Sequence, residues 1–149
     1  MNILAIDPAM TTGFACNKAS GVFLCKAKGR QSLGYRFILF RNYIKALIED
    51  NDIDFVVYEK PSGKHFTGIR SHSNFEGVLL ELCEDLKIEY KEVVSTEIKR
   101  YAKSISKVSG IMDKSAMFST AIDFIQPNVI DDNHADALWL LQYANNLLT

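Results

Sequence analysis

The sequence predicts an α/β protein in which a mixed five-stranded sheet is covered by helices. Short apolar runs bounded by turn residues predict strands, and longer stretches with apolar residues every three or four positions predict helices. Three strands come first and are followed by helices that alternate with two further strands, an order typical of a mixed sheet with helices on its faces. The 149 residues, 48% of them hydrophobic, predict one domain over residues 1–149 with a buried core.

The three N-terminal strands are predicted to form an antiparallel meander. Residues 2–7 form a short apolar strand, which Pro8 ends at the start of a turn over residues 8–13. Two more strands are predicted at 13–17 and 21–26, with a tight turn between them.

The rest of the chain alternates helices with strands. The apolar run that ends at Glu59 is typical of a central strand that is buried on both faces. The predicted elements are a helix at 32–50, a strand at 53–59, a loop at 60–72, a helix at 74–86, a strand at 88–93, a helix from 95 to about 104, a loop at 107–113, and helices at 114–125 and 132–147.

Composition favours a cytoplasmic protein without disulfides. No apolar run is long enough to span a bilayer, and the N-terminus reads as a strand without the basic region of a signal peptide. The three cysteines have no metal-binding spacing, so we interpret them as reduced, buried hydrophobic residues. They are Cys16, Cys25 and Cys83.

Basic residues gather in two stretches that contain no acid, although the formal net charge is −1. Either stretch alone is best explained as a solvated face of the protein. Together, and flanking candidate catalytic acids, they favour a surface that contacts a phosphate backbone. The first stretch contains Lys60, Lys64 and Arg70, and the second contains Lys99, Arg100, Lys103 and Lys107.

Two carboxylates follow directly on apolar strands. Asp7 ends the first strand and Glu59 ends the fourth, so each lies at the rim of the core. If these strands are neighbours, the two carboxylates lie side by side, and their repulsion raises one pKa unless a divalent cation compensates. The alternatives are that Asp7 caps the turn through Thr11 or Thr12 and that Glu59 forms a salt bridge.

Two further acids open the last helix. Asp132 and Asp136 are four residues apart and therefore lie on one helical face, near the N-terminus that favours anions. Asp131 or Asp132 could instead be the N-cap, an alternative that is weaker for Asp136 within its apolar neighbours. The amide oxygen of Asn133 could also contact a metal. His134 could be a ligand or a proton-transfer group, or merely exposed.

The ordered set of motifs resembles RuvC-type Holliday junction resolvases of the RNase H-like superfamily, including their phage relatives. The resemblance spans almost the whole chain, and the ordered set is more specific than any one motif. The similar segments are Ile6-Asp7-Pro8 with Thr12-Gly13, Tyr58-Glu59-Lys60-Pro61, Ser95-Thr96-Glu97-Ile98-Lys99-Arg100, Lys114-Ser115-Ala116-Met117 and Asp132-Asn133-His134-Ala135-Asp136-Ala137-Leu138.

The resemblance implies a homodimeric, Mg²⁺-dependent endonuclease that nicks two strands of a four-way DNA junction symmetrically, with Mn²⁺ as a substitute. Asp7, Glu59 and Asp136 match three acidic ligands of the family. The family often carries an acid or histidine three residues before the last aspartate, where this chain has Asn133. The fourth ligand therefore stays open between Asp132, Asn133 and His134.

The same resemblance assigns a reaction to these residues. Two Mg²⁺ ions about 3.5–4 Å apart would clamp the scissile phosphate. Lys114 and Lys107 are candidates for stabilising charge on the phosphoryl group, and Phe66 matches a loop aromatic that helps open the junction, although it could instead fold back on the core. The residues expected to hold backbone phosphates are Lys60, Lys64, Arg70, Lys99, Arg100 and Lys103.

Three other functions compete with this interpretation. Residues 7–13 also resemble the phosphate loop of actin-like ATPases and sugar kinases, but those proteins need a second phosphate loop that this chain lacks. A catalytically inert DNA-binding module would fit the departure at Asn133. An RNase H or flap nuclease would share the metal site and differ in substrate. The resolvase interpretation places the protein in a bacterial or phage-infected bacterial cell.

Overall fold

The computed structural model describes residues 1–61 and 66–148, and for residues 66–69 the backbone alone. Five strands and five helices form the described part of the chain. The strands are β1 (Ile3–Asp7), β2 (Thr11–Ala15), β3 (Ser20–Leu24), β4 (Phe55–Glu59) and β5 (Glu89–Val93). The helices are α1 (Tyr35–Asp50), α2 (Phe66–Leu86), α3 (Ser95–Ser106), α4 (Lys114–Phe124) and α5 (Asp132–Leu148).

The strands form one mixed five-stranded sheet in the order β3-β2-β1-β4-β5. The first three strands pair antiparallel, and β4 pairs parallel with both β1 and β5. The predicted α/β class and mixed sheet are therefore confirmed. Because Ile6 lies opposite Tyr58, the carboxyl ends of β1 and β4 are adjacent, so Asp7 and Glu59 follow side by side.

The alternation of side chains along β1 and β4 divides the core into two layers. Leu4 and Ile6 pack on the side of the sheet covered by α1 and α2. Ile3 and Ala5 pack on the other side, with residues of α3, α4 and α5. Successive residues of a strand point to opposite faces, so Asp7 continues the series of Ile3 and Ala5. The sheet therefore directs Asp7 towards the layer that contains α5.

Helix α2 begins at Phe66, so the prediction of a loop over residues 60–72 and of a helix start at 74 is wrong for residues 66–73. The segment is rich in serine, glycine and polar residues, which have weak helix propensity. Tertiary packing overrides that propensity, because Phe75 is fully buried and meets the ring of Phe40 on α1 edge-on, with centroids 5.2 Å apart. Lys64 lies outside the described residues.

Strand β2 begins at Thr11, two residues earlier than predicted, and the preceding turn is correspondingly shorter. The hydroxyl of Thr12 donates a hydrogen bond to the carbonyl of Ala9 at 2.6 Å and closes this turn. Thr12 is fully buried, as β-branched residues in strands often are. The turn therefore closes through Thr12 and Ala9, and among the described residues Asp7 forms no hydrogen bond that would cap it, contrary to the alternative prediction.

The three cysteines are free and buried, as predicted for small hydrophobic residues. In the part of the chain that the structure describes, no helix has the length and apolar character to cross a membrane.

Candidate metal centre

Three carboxylates converge at the carboxyl ends of two neighbouring strands. Asp7 and Glu59 come from the ends of β1 and β4, and Asp136 comes from α5, which packs across β1 and β2. One carboxylate oxygen of each residue lies within 4.8 Å of the corresponding oxygens of the other two. Asp7 is buried, whereas Glu59 and Asp136 keep partial access to the solvent. The arrangement can bind a cation that enters from the solvent.

Gly13 determines how closely α5 approaches the sheet. In the β1–β2 ladder Gly13 lies opposite Asp7. A Cβ atom at position 13 would lie 2.0 Å from the backbone carbonyl oxygen of Asn133, a distance that real Cβ atoms do not reach. The missing side chain therefore allows the first turn of α5, and with it Asp136, to rest against the strand next to Asp7.

Asp131 caps helix α5. Its carboxylate accepts a hydrogen bond from the backbone N–H of His134 at 2.9 Å, and its carbonyl accepts one from Ala135 at 3.1 Å. The N-cap is therefore Asp131 and not Asp132, the other candidate. This leaves the carboxylate of Asp132, which is the first residue of the helix, available for other contacts.

His134 is buried, so the alternative that it is merely exposed is wrong. Its Nδ1 accepts a hydrogen bond from the backbone N–H of Ile130 at 3.0 Å, so the proton of the neutral ring is on Nε2. Nε2 then donates to the hydroxyl of Ser20 at 2.8 Å. Both nitrogens are used in holding the start of α5 against β3, so neither is free to bind a metal.

Burial and mutual repulsion disfavour the ionised forms of two members of the cluster. Burial, followed by the charges of Asp7 and Asp136, raises the pKa of Glu59 to about 8. Burial, followed by the charges of Asp7 and Asp132, raises the pKa of Asp136 to about 7. The positive charge of Lys99 opposes both increases without cancelling them. A cation placed between these carboxylates would offset the same penalty.

The donor set fits a hard divalent cation. Within the described residues, no basic side chain forms an ion pair within 4 Å of Glu59 or Asp136. Carboxylate oxygens are the protein ligands that Mg²⁺ and Mn²⁺ prefer. The oxygen ligands, and the lack of a basic partner for Glu59 and Asp136 among the described residues, together make this cluster a candidate metal centre.

Of the two other predicted ligands, Asp132 lies beside Asp136 and Asn133 contacts Asp131. Asp132 raises the pKa of Asp136 through its charge, and its Oδ2 lies 3.4 Å from the ammonium of Lys114. The side-chain amide of Asn133 lies 3.5 Å from a carboxylate oxygen of Asp131. Lys114 is strongly exposed, and its charge lowers the pKa of Asp136 in opposition to burial. The structure thus brings Asp132 and Lys114 together beside Asp136.

Sequence reasoning missed His72. Its Nε2 lies 3.2 Å from Oδ1 of Asp7, and both side chains are largely buried. The segment was predicted as a loop, so nothing indicated that position 72 would face the end of β1. If the helix had been predicted to start before Phe75, His72 would have been expected on the same buried face, because residues three apart lie on one side of a helix.

The predicted DNA-contacting residues fall in several places. Lys60 pairs with Glu92 at 3.7 Å, and Arg70 is exposed on α2. Lys103 donates to the carbonyl of Gly110 at 2.7 Å. Lys107 ends α3 in a left-handed backbone conformation. One groove is lined by Lys99, Arg100, Lys103, Gly110, Ile111 and Met112.

Lys99 connects this groove with the acidic cluster, because it lines the groove and its charge lowers the pKa of both Glu59 and Asp136. Sequence reasoning treated Lys99 as one member of a basic stretch and did not single it out. Phe66 opens α2 in place of the predicted loop, and its side chain is outside the described part of the molecule.

Comparison with solved structures identifies the fold. RuvC of T. thermophilus in complex with a Holliday junction substrate matches with a TM-score of 0.75 at 11% identity, over 99% of this chain and 94% of that chain. A second structure of Thermus thermophilus RuvC matches with a TM-score of 0.70 at 12% identity, over 100% and 98% of the two chains. The yeast mitochondrial Holliday junction resolvase Ydc2 matches with a TM-score of 0.66 at 13% identity, over 95% and 76%.

No protein-family model and no curated protein sequence matches this chain. The likeness is therefore one of fold, and it confirms the predicted RNase H-like architecture of RuvC-type resolvases.

Proposed function

We propose that this protein is a metal-dependent endonuclease that resolves four-way DNA junctions. The observation that most supports this proposal is the convergence of Asp7, Glu59 and Asp136 at the carboxyl ends of β1 and β4. The fold around this cluster is that of Holliday junction resolvases, one of which is solved with a junction substrate. The cluster supplies the chemistry, and the fold suggests the substrate.

In this proposal Asp7, Glu59 and Asp136 hold divalent cations, Mg²⁺ or in its place Mn²⁺, with two ions per subunit. Asp132 is the proposed further ligand, because its carboxylate lies beside Asp136, and Asn133 remains a weaker candidate. When bound, the cations would acidify the attacking water and stabilise the negative charge that develops on the phosphate and the leaving oxygen. The partial exposure of Glu59 and Asp136 leaves room for the scissile phosphate.

The basic residues position the DNA. The groove lined by Lys99, Arg100 and Lys103 can follow a phosphate backbone, and the charge of Lys99 links it to Glu59 and Asp136. Lys114, beside Asp132, is proposed to stabilise charge on the phosphoryl group. The other proposed phosphate contacts are Lys60, Lys64, Arg70 and Lys107, with Phe66 as the aromatic next to the junction.

Symmetric cleavage of a junction needs two active sites, so we propose that the chain acts as a homodimer. We further propose that residues 1–149 form one nuclease domain and that it acts in the cytoplasm of a bacterial or phage-infected bacterial cell. These statements rest on the resemblance to RuvC-type resolvases.

Lys99 and Arg100 provide a matched pair for separating catalysis from DNA binding. They are neighbours on α3, but only Lys99 acts on the pKa of both Glu59 and Asp136. We expect Lys99→Met to slow junction cleavage by roughly 10²-fold, the loss typical of removing one electrostatic group from an active site. Arg100→Met should weaken junction binding by less than about tenfold and leave the cleavage rate of the bound complex unchanged.

The measurement is single-turnover cleavage at saturating protein, together with equilibrium binding of the same junction. Equal loss of cleavage in both variants would contradict the special position of Lys99.

The substrate is tested with a panel of DNAs of matched length: a four-way junction, a linear duplex, a flap and an RNA–DNA hybrid, each with and without Mg²⁺. The proposal predicts paired nicks at symmetric positions of the junction and little cleavage of the other substrates. Preferential cleavage of the flap or hybrid would overturn the junction assignment and keep the metal site. Tight junction binding without cleavage in any metal would overturn the nuclease assignment.

A further inference from the structure

We propose that His72 is a nitrogen ligand of a divalent metal ion that it shares with Asp7. This inference rests on the proposed function, because it extends the carboxylate site described above. It adds an imidazole from α2 to a centre whose other ligands come from β1, β4 and α5.

The contact between His72 and Asp7 is close but is not a hydrogen bond. Nε2 of His72 lies 3.2 Å from Oδ1 of Asp7. The Nε2 atom is buried, and within the described residues it has no hydrogen-bond partner, Asp7 included. The side chains are only 16% and 11% exposed. Burying a polar nitrogen without a partner is costly, so its position calls for a ligand.

A metal ion explains this geometry. Ligand atoms at about 2.1 Å from an octahedral ion are about 3 Å apart when they occupy adjacent positions. The 3.2 Å between Nε2 and Oδ1 agrees with that spacing. The two side chains are thus placed as neighbouring ligands.

His72 would share a metal ion with Asp7 without belonging to the three-carboxylate cluster. The group of ligand atoms that lie within 4.8 Å of one another contains Asp7, Glu59 and Asp136 but not His72. Asp7 has two carboxylate oxygens and can serve both the three-carboxylate cluster and the imidazole. His72 would accordingly complete the ligand set of one ion of the proposed pair.

The fold holds the imidazole in this position. Helix α2 extends back to Phe66, and Phe75, three residues after His72, is fully buried. Phe75 meets the rings of Phe37 and Phe40 edge-on, with centroids 5.1 and 5.2 Å apart. These contacts fix the rotation of α2 about its axis, and therefore the face on which His72 lies.

An imidazole changes which ions the site prefers. Mg²⁺ favours oxygen ligands, whereas nitrogen ligands raise the relative affinity for the later divalent transition metals. We therefore expect His72 to increase the preference of the centre for Mn²⁺ over Mg²⁺. A site made of carboxylates alone would show a smaller preference.

The test is pulsed electron paramagnetic resonance of Mn²⁺ bound to the full chain, with natural and ¹⁵N-labelled histidine. The proposal predicts a nitrogen coupling that changes with the label and disappears in His72→Gln and His72→Asn. Calorimetry should show that these variants bind Mn²⁺ at least about 10-fold more weakly, since even residues that only orient the direct ligands contribute that much to metal affinity. Ser73→Ala, at the exposed next position of α2, is the matched control and should keep both the coupling and the affinity.

The controls separate this inference from the proposed function. One outcome is that the wild type binds Mn²⁺ and Asp7→Asn abolishes this binding, but the wild-type spectrum shows no histidine coupling. This outcome would overturn the role of His72 and leave the nuclease proposal intact. A coupling that persists in both His72 variants would also overturn it. If the wild-type chain bound no Mn²⁺ at all, the proposed function would fail as well. Melting curves without metal establish whether each His72 variant folds. If neither variant folds, the presence or absence of the histidine coupling in the wild-type spectrum tests the proposal by itself.

Discussion

Without divalent cations, the protein is expected to lose stability as the pH rises from about 5 to about 8. Burial and the neighbouring carboxylates raise the pKa of Glu59 to about 8 and that of Asp136 to about 7. In the unfolded chain both groups ionise near their ordinary values of about 4. Between these limits the folded state binds more protons at these two groups than the unfolded state does, so their contribution to stability is greatest at low pH and declines as they ionise.

The expected loss is large because one pKa unit corresponds to about 1.4 kcal/mol. The charges in the cluster are coupled and partly relieved by solvent, so we expect the free energy of unfolding to fall by at least about 2 kcal/mol across this pH range. Mg²⁺ or Mn²⁺ should suppress the decline, because a cation removes the repulsion between the ionised groups.

Glu59→Gln tests this explanation. Above about pH 7 the metal-free variant should be more stable than the wild type and less dependent on pH, since it no longer buries this charge. Glu89→Gln, at an exposed position of the adjacent strand β5, is the matched control and should follow the wild type. Thermal denaturation over the pH range, in chelator and in metal, measures both effects. A Glu59→Gln curve parallel to that of the wild type would contradict the electrostatic account of the cluster.

Gly13→Ala is expected to damage both stability and the candidate metal centre. The added Cβ would lie 2.0 Å from the carbonyl oxygen of Asn133, so either β2 or the start of α5 must move. Overpacking of this kind costs about 1–3 kcal/mol or more. Because Gly13 lies opposite Asp7 and Asn133 precedes Asp136 by one helical turn, the displacement should separate the two carboxylates.

Gly77→Ala provides the control for Gly13→Ala. Gly77 is exposed on α2, and among the described residues no atom lies within 4 Å of the position that an alanine Cβ would take, so alanine should stabilise the helix by about 0.5–1 kcal/mol. The measurements are chemical denaturation, Mn²⁺ calorimetry and junction cleavage. Normal Mn²⁺ affinity and cleavage in Gly13→Ala would show that close packing at this position does not determine the spacing of the carboxylates.

The sequence predicted those features that follow from local patterns. The apolar runs before Asp7 and Glu59 were sufficient to place both residues at strand ends, and the order of elements was sufficient to predict a mixed sheet. The four-residue spacing of Asp132 and Asp136 correctly placed them on one helical face. The fold and the three-carboxylate cluster could be anticipated because each depends on periodicity or on position at the end of an element.

Features that depend on contacts distant in sequence were not predictable. The approach of Gly13 to α5 joins positions 120 residues apart and leaves no local signal. The polar start of α2 has weak helix propensity and is stabilised by Phe75, so the first part of the helix, residues 66–73, and the position of His72 were missed. The hydrogen bond of His134 to Ser20 likewise appears only once β3 and α5 are packed together.

The central claim is that the carboxylate cluster carries out metal-dependent cleavage of a DNA junction. The most direct test compares wild type and Asp7→Asn on one four-way junction in Mg²⁺, with binding measured in parallel. We predict paired, symmetric nicks by the wild type and a loss of at least about 10²–10³-fold in the variant, with junction binding retained. Equal cleavage by both proteins, or wild-type cleavage that persists in chelator, would contradict the claim.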